Sequence, residues 1–360
     1  MLVSNIAFSQ ITMPPSGNNQ KSCVTQYMGL ASVSVTYSSP DVIDEKGIDR
    51  SGKIWGDLIP YGYSNLYFGL SSEENPSPWR AGANENTIIE FSHNVIVQGK
   101  KIKAGKYGFF IVTAPEGDWE IILSSNSTSW GSYFYKPEDV AYRFKASPKA
   151  NAYTEFLTYN FTDRKLESCV VELQWEKVAL PIKIEVENIY DLYVEQIRKE
   201  LKGYAGFEYT SYAEAAGFCA EHKINLDEAL QWADYAITGK WVGQKNYTTL
   251  LTKARVLRAS GKDDEASTYF EKAVFHPTAV IFDVHGLGRK FIATGDFNLA
   301  FDIFSWNAKA HPNKWPVNVG LMRGYSAKGD YKAALKYCKK AQKNVDPEDE
   351  LNVKNLKKLK

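Results

Sequence analysis

The fold of the first half of the chain is decided by a loop that runs directly into a strand, Trp79-Arg80-Ala81-Gly82-Ala83-Asn84-Glu85-Asn86-Thr87 followed by Ile88-Ile89-Glu90-Phe91. The loop combines an aromatic residue, an arginine and small residues that allow two backbones to approach closely. The apolar residues that follow it require burial. This stretch therefore predicts a fixed polar network at the mouth of a β-sheet.

Around this loop, between residues 22 and 187, apolar residues recur at every second position. The alternation is clear in residues 32–37, 142–145 and 169–175, and a period of two is that of a strand with one buried face. Turns such as Gln98-Gly99-Lys100 separate about nine such segments, with no helical pattern between them. We expect an antiparallel β-sandwich or jelly-roll-like domain.

Five spaced motifs stand in order within this half: Gly52-Lys53-Ile54-Trp55-Gly56, Ile59-Pro60-Tyr61-Gly62, Trp79 to Glu85, Ala104-Gly105-Lys106-Tyr107 and Trp130-Gly131-Ser132-Tyr133. Together they resemble the domain-of-unknown-function 2911 family over residues 22–186. The resemblance implies an exported protein of Bacteroidetes-type bacteria with a β-sandwich domain, and it brings no activity. Residues 63–78 are inserted relative to the family pattern.

The second half of the chain repeats with a period of 34 residues, marked by Gly261, Gly295 and Gly329. Small and large residues recur at fixed offsets from these glycines: Ala266, Ala300 and Ala334, then Phe270, Phe304 and Cys338. The pattern resembles tetratricopeptide (TPR) repeats. The resemblance implies an α-helical solenoid whose first helices line a ligand-binding groove.

We therefore expect a multidomain chain, β and then α. Its segments are a signal-peptide remnant (1–9), a β-sandwich domain (10–187), a connecting helix (188–208), TPR-like repeats (209–347) and a capping helix with a basic tail (348–360). Ala7 and Ser9 occupy the small-residue positions of a cleavage site before Gln10. We expect a periplasmic or secreted protein; the alternative is the frayed N-terminus of a cytosolic one.

Composition excludes several classes of partner. Lys plus Arg number 43 against 42 Asp plus Glu, so no bulk charge attracts nucleic acid or anionic membrane. No stretch has the apolar length of a membrane span. The four cysteines have no metal-ligand spacing, and we expect neither a metal nor a cofactor. Cys23 and Cys169 could form a disulfide in an oxidising compartment, or each could be an isolated buried thiol.

Arg80, Asn84 and Glu85 are candidates for substrate binding, or for acid–base chemistry if the pKa of Glu85 is raised by burial. A buried Arg80–Glu85 ion pair that fixes the loop is the alternative. Aromatic residues of the same region could stack on sugar rings or an extended peptide, or could serve packing alone. They are Trp55, Tyr61, Trp79, Trp130 and Tyr133.

Arg255, Arg289 and Arg323 recur at the repeat period, each directly after the small residue or methionine of its repeat. By resemblance to TPR repeats this column faces a ligand, with Arg258 and His285 as neighbours. Guanidinium groups match the carboxylates of an acidic peptide. Internal pairing with Asp or Glu is the alternative.

These patterns favour an exported two-domain binding or scaffold protein, whose helical groove takes a protein or peptide and whose β-domain supports the assembly or binds a second ligand. The alternative is a carbohydrate-binding module or a hydrolase-type enzyme centred on residues 79–85. No serine elbow, phosphate loop or zinc-protease motif is present in the sequence.

Overall fold

The computed structural model describes residues 19–358. They fall into two compact units, one that ends at Ile189 and one that begins at Tyr190. The predicted signal-peptide remnant and the last two residues of the basic tail lie outside the described residues.

The first unit consists of antiparallel strands. In chain order they are β1 (Gln20–Met28), β2 (Ala31–Ser39), β3 (Thr87–Phe91), β4 (Val95–Val97), β5 (Lys100–Ile102), β6 (Gly105–Val112), β7 (Trp119–Ser124), β8 (Val140–Ala146), β9 (Lys149–Thr162) and β10 (Ser168–Glu185). They form a six-stranded sheet of order β1-β2-β3-β6-β7-β8 and a four-stranded sheet of order β5-β4-β10-β9. The predicted order, an antiparallel β unit followed by helices, is confirmed.

The buried faces of both sheets follow the period of two. On β2, Val33 and Val35 are buried and pair with Phe91 and Ile89 of β3. Tyr37 of the same strand contacts Tyr159 of β9, with ring centroids 4.8 Å apart. Side chains of the two sheets therefore meet in a common core, as alternation on each strand requires.

The strand prediction differs from the structure in count and in bounds: about nine segments are expected, and ten strands are described within residues 19–358. The alternation in residues 169–175 belongs to the single strand β10, which continues to Glu185. Its register against β9 shifts on both sides of Glu176, which has φ +51°. An irregularity of this kind bends a strand without ending it and interrupts the alternation that marks a strand in sequence.

Cys23 is exposed and Cys169 is buried, and both are free thiols. This structure therefore contains no disulfide between Cys23 and Cys169. The alternative of an isolated buried thiol is correct for Cys169 and wrong for Cys23.

The second unit is helical. Its described helices are α1 (Ile189–Glu200, beginning at the unit boundary), α2 (Tyr209–His222), α3 (Leu226–Thr238), α4 (Tyr247–Ala259), α5 (Asp263–Val274), α6 (Ile281–Ala293), α7 (Phe297–Ala310), α8 (Trp315–Ala327), α9 (Tyr331–Asn344) and α10 (Glu350–Lys357). The three period-marking glycines lie at the turns inside the hairpins α4–α5, α6–α7 and α8–α9, at φ between +76° and +83°. Glycine adopts this left-handed conformation without the cost that a Cβ imposes.

The small and large residues of the repeat pack on one another. Phe304 of α7 is fully buried. A Cβ added at Gly288 of α6 would lie 2.5 Å from its ring, and one at Gly320 of α8 would lie 2.6 Å from it. The phenylalanine therefore fills space that exists because two neighbouring helices lack side chains at these positions.

Candidate functional site

The loop before β3 is fixed by buried hydrogen bonds. The carbonyl of Ala81 accepts from the hydroxyls of Tyr159 (2.8 Å) and Thr87 (3.0 Å). The Trp79 indole N–H donates to the Gly82 carbonyl at 3.2 Å. Residues from β3 and β9 thus hold the loop backbone in one conformation, as the sequence predicts for a fixed polar network.

The loop backbone is strained at two residues. Ala81 has φ +54° and Asn84 φ +55°, a region that costs a residue with a Cβ roughly 1–2 kcal/mol. Between them, Gly82 is confined, since an added Cβ would lie 2.8 Å from Thr87 Oγ1 and 3.0 Å from the Ser38 carbonyl. Strain of this kind persists where the surroundings determine it, and it is concentrated at functional sites.

The predicted Arg80–Glu85 ion pair is wrong. Arg80 donates through Nη1 to the Asn84 carbonyl at 3.0 Å, and its guanidinium lies over the ring of Tyr133. Glu85 instead pairs with Lys21 of β1 at 3.4 Å and is 42% exposed. Because Glu85 is half-exposed, its attraction for Arg80 is weak. Arg80 therefore keeps its hydrogen bond to the loop backbone.

The electrostatics of Glu85 oppose an acid–base role. Burial by itself raises the pKa of this carboxyl, but its own backbone N–H, Lys21 and Ser38 outweigh burial and lower the pKa below the ordinary value. The acid–base hypothesis requires the opposite direction. Glu85 therefore behaves as an ionised, half-exposed residue.

A pocket of about 470 Å³ opens beside this loop, and Trp79, Arg80 and Asn84 line it. Ser132 and Trp175 also line it, and neither is among the site residues predicted from the sequence. Ser132 lies in the Trp130 to Tyr133 motif, which was the available signal. Trp175 has the pattern of a core strand, and nothing in that pattern marks it as a pocket residue.

The predicted aromatic residues do not share one groove. Trp55 contacts Trp79, Trp119 and Trp175 in a packed indole cluster. Trp55 and Tyr61 line a separate pocket of about 470 Å³. Trp130 is exposed, and Tyr133 lies under Arg80. Trp55 and Trp79 therefore pack in the indole cluster, and Trp79 alone among the five predicted residues joins Arg80 in the loop pocket.

The inserted segment 63–78 is anchored to the larger sheet. Arg143 of β8 donates to the Tyr63 hydroxyl at 2.7 Å and pairs with Glu120 of β7 at 3.0 Å. Burial, with smaller contributions from Tyr135 and Glu120, raises the pKa of Tyr63 to about 12. The phenol therefore stays protonated and acts as a structural hydrogen-bonding group.

The second candidate site lies on the first helices of the repeats. Arg255 of α4 and Arg289 of α6 are exposed, and Arg323 of α8 is half-buried. Among residues 19–358, none of the three forms a salt bridge, and the Arg323 Nε is buried without a hydrogen-bond acceptor. Internal pairing, the alternative for this column, is therefore not what its members do. We call these three residues the arginine face.

Arg258 differs from the arginine face. It forms an ion pair with Asp296, the residue that caps α7, and lies 3.9 Å from Asp263. Its guanidinium also lies over the ring of Phe291. Arg258 lines the same pocket as Arg255, but its charge is balanced within the repeat, so its role in the groove stays a prediction.

The pKa of His285 on α6 depends on the positive charge of the arginine face. Its pKa is lowered from 6.5 to about 4, first by burial and then by the positive charges of Arg323 and Arg289, while a backbone hydrogen bond to Pro316 opposes the shift. The pKa of Arg323 is lowered as well, by burial and by Arg289. The two arginines repel each other, and no carboxylate of the described chain offsets them by a salt bridge.

Two pockets adjoin the arginine face. Arg255 lines one of about 550 Å³, with Phe270, Leu287 and Phe291 as apolar neighbours and Glu221 at its wall. Arg323 lines another of about 580 Å³ together with apolar residues of α8 and α9. The face therefore combines positive charge that no salt bridge within residues 19–358 offsets with room for apolar side chains.

Within the described part of the chain, no three His, Cys, Asp or Glu side chains are grouped so that they could hold a metal ion. None of its helices has the length and apolar character needed to cross a membrane.

A known protein family matches part of the chain. Residues 19–184 match the model of a family described as "Protein of unknown function (DUF2911)". No curated protein matches the chain.

Three solved structures are similar to part of the chain. MamA shares 14% identity over 43% of this chain and 82% of its own, with a TM-score of 0.29. The C-terminal part of a TPR repeat-containing protein from Cytophaga hutchinsonii shares 19% over 45% and 62%, with a TM-score of 0.30. YrrB, described as a TPR protein with an unusual peptide-binding site, shares 18% over 48% and 84%, with a TM-score of 0.27. These scores are low, so the repeat assignment rests on the period and hairpins of this chain itself.

The family match and the five sequence motifs agree on the same region. Residues 19–184 match the DUF2911 family model, and TPR-like helical hairpins follow that region.

Proposed function

We propose that this protein is a binding or scaffold protein whose helical repeats capture an acidic segment of a partner protein on the arginine face. The observation that carries the proposal is that, within residues 19–358, no salt bridge forms to any of its three arginines, although each recurs at the repeat period. Exposed arginines commonly have such partners, and Arg258, three residues from Arg255, does.

The electrostatics give the expected chemistry of the partner. Arg289 and Arg323 are close enough for each to depress the pKa of His285. A carboxylate placed between them relieves this repulsion and accepts fork-like hydrogen bonds, which are stronger than hydrogen bonds between neutral groups. The preferred segment therefore contains several Asp or Glu residues, or a chain-terminal carboxylate.

The pockets add an apolar requirement. Phe270 is fully buried and Leu287 nearly so, and both line the pocket beside Arg255. An apolar side chain of the partner can occupy this space while its acidic neighbours pair with the face. Amphipathic peptides bind in helical grooves through such spaced anchors.

Selection from a random peptide display library tests the proposal, with the full-length chain as bait. We expect the selected peptides to be enriched in Asp and Glu, with one or two large apolar residues between them. Enrichment of neutral or basic peptides would contradict the proposal. A matched bait with the substitutions Arg255→Glu, Arg289→Glu and Arg323→Glu should lose the acidic preference.

A further inference from the structure

The pocket beside the strained loop contains polar groups that the fold leaves unsatisfied. Ser132 is 2% exposed and Trp175 is 1% exposed. In the described part of the chain, the Ser132 Oγ and the Trp175 Nε1 have no hydrogen-bond partner. Buried polar groups are nearly always paired in native proteins, so two such groups lining one pocket require an explanation.

Arg80 adds a third donor to the same pocket. One of its N–H groups supports the Asn84 carbonyl, and no carboxylate of residues 19–358 forms a salt bridge with it. Its position is fixed, because Gly131 leaves the space that the guanidinium occupies: a Cβ there would lie 2.6 Å from Nη1. The arginine is therefore held at the pocket wall with donors to spare.

The acidic residues that line the pocket either pair with other groups of the protein or are exposed to solvent. Asp41 pairs with Arg50 at 2.8 Å. Asp44 Oδ1 accepts from the backbone N–H groups of Lys46 and Ile48 at 3.0 and 2.9 Å. Glu45 and Lys46 are both exposed and carry opposite charges. The polar groups of the pocket that still lack a partner are therefore mainly hydrogen-bond donors.

We propose that this pocket binds a small ligand through a carboxylate, which Arg80 takes through its N–H groups while the Trp175 N–H and the Ser132 hydroxyl donate to the same anion. Among common ligand groups, a carboxylate offers two oxygens with about four acceptor positions. It also matches the planar fork of arginine. The volume lies within the range of small-molecule sites, roughly 300–1,000 Å³. The strained loop keeps Arg80 in place before the ligand arrives, which lowers the cost of binding.

This site is independent of the arginine face, since it lies wholly in the first unit. It also assigns roles that the family description does not contain. An acidic sugar and an aliphatic acid share the carboxylate, and the experiment distinguishes them.

The test is ligand-observed NMR on the full-length chain at millimolar concentration of D-glucuronate, glutarate or D-glucose. Arg80-dependent binding of glucuronate alone assigns an acidic sugar, and equal binding of both acids assigns a carboxylate without a sugar requirement; both support the proposal. Binding of glucose as tight as that of glucuronate, or no binding of either acid, overturns it.

Variants separate a binding role from a structural one. Arg80→Lys keeps the charge but loses the fork, and should weaken acid binding by roughly tenfold. Ser132→Ala removes a hydroxyl that has no partner among residues 19–358, so the melting temperature should hold or rise while acid binding falls by about fivefold. Ser77→Ala is the matched control: its Oγ is equally buried and also lacks a partner in that part of the chain, but Ser77 does not line the pocket. Acid binding unchanged in both Arg80→Lys and Ser132→Ala overturns the proposal.

Discussion

Replacing Arg289 and Arg323 by glutamine should raise the pKa of His285 and make the helical unit less sensitive to acid. The pKa of His285 stands at about 4 instead of 6.5. Between pH 4 and pH 6.5, the His285 ring is therefore mostly neutral in the folded protein and mostly protonated in the unfolded chain. Stability is unaffected by this group above pH 6.5, and it falls as the pH falls from 6.5 towards 4.

The magnitude follows from the shift. A difference of 2.5 pKa units between the two values corresponds to roughly 3 kcal/mol of unfolding free energy lost by pH 4. Burial is the first cause and remains in the double variant. The pKa should therefore rise without reaching 6.5, and only part of the acid sensitivity should disappear.

The assay combines NMR titration of the His285 ring, assigned with a His285→Gln variant, and urea unfolding at pH 7 and pH 4.5. Lys336→Gln with Lys339→Gln on α9 is the control, because it removes the same charge from exposed positions that do not act on His285. Titration of wild-type His285 near its ordinary value, or an identical pKa in the Arg289/Arg323 variant, would refute the reasoning. An acidic peptide bound at the arginine face should raise the same pKa in the wild type.

Three further predictions follow from the packing, the thiols and the N-terminus. Gly288→Ala places a Cβ 2.5 Å from Phe304 and should cost roughly 1–3 kcal/mol in urea unfolding; Phe304→Leu in the same chain should recover part of that cost, and strict additivity would count against the packing described. Cys23 is exposed and should react with a thiol reagent in the native state, whereas Cys169 and Cys219, with burial raising each pKa to about 11, should not. Export with cleavage before Gln10 stays a prediction; N-terminal sequencing of protein purified from cells tests it, and retention of residues 1–9 would contradict it.

The helical half could be predicted closely because its signals are local. Gly261 and its two counterparts mark turns that need a left-handed residue, and the turn is encoded within a few positions of the chain. The contacts of Phe304 with Gly288 and Gly320 join residues farther apart in the chain, but the 34-residue period allows them to be predicted. A repeat allows a long-range contact to be inferred from a spacing.

The candidate site of the β unit could be located but not assembled from the sequence. The composition of residues 79–85 marks them as a candidate site. The partner of Glu85, however, is Lys21, which lies 64 positions earlier in the chain. Nothing local in the sequence decides between Lys21 and Arg80 as the partner. Trp175 reaches the pocket from β10, and its alternating pattern describes burial without saying which buried atoms lack partners.

The most direct test of the arginine face is the affinity of one selected acidic peptide for the full-length wild type and for the Arg255→Glu, Arg289→Glu, Arg323→Glu variant, measured by fluorescence anisotropy. The matched control is Lys332→Glu, Lys336→Glu, Lys339→Glu, which makes the same change of charge at exposed positions of α9. Loss of three charge-assisted contacts should weaken binding by about a thousandfold. Wild-type binding should also weaken with added salt, because exposed charges are screened over about 8 Å at physiological ionic strength. Equal affinity of the wild type and the arginine variant, with the variant folded, would contradict the proposed function.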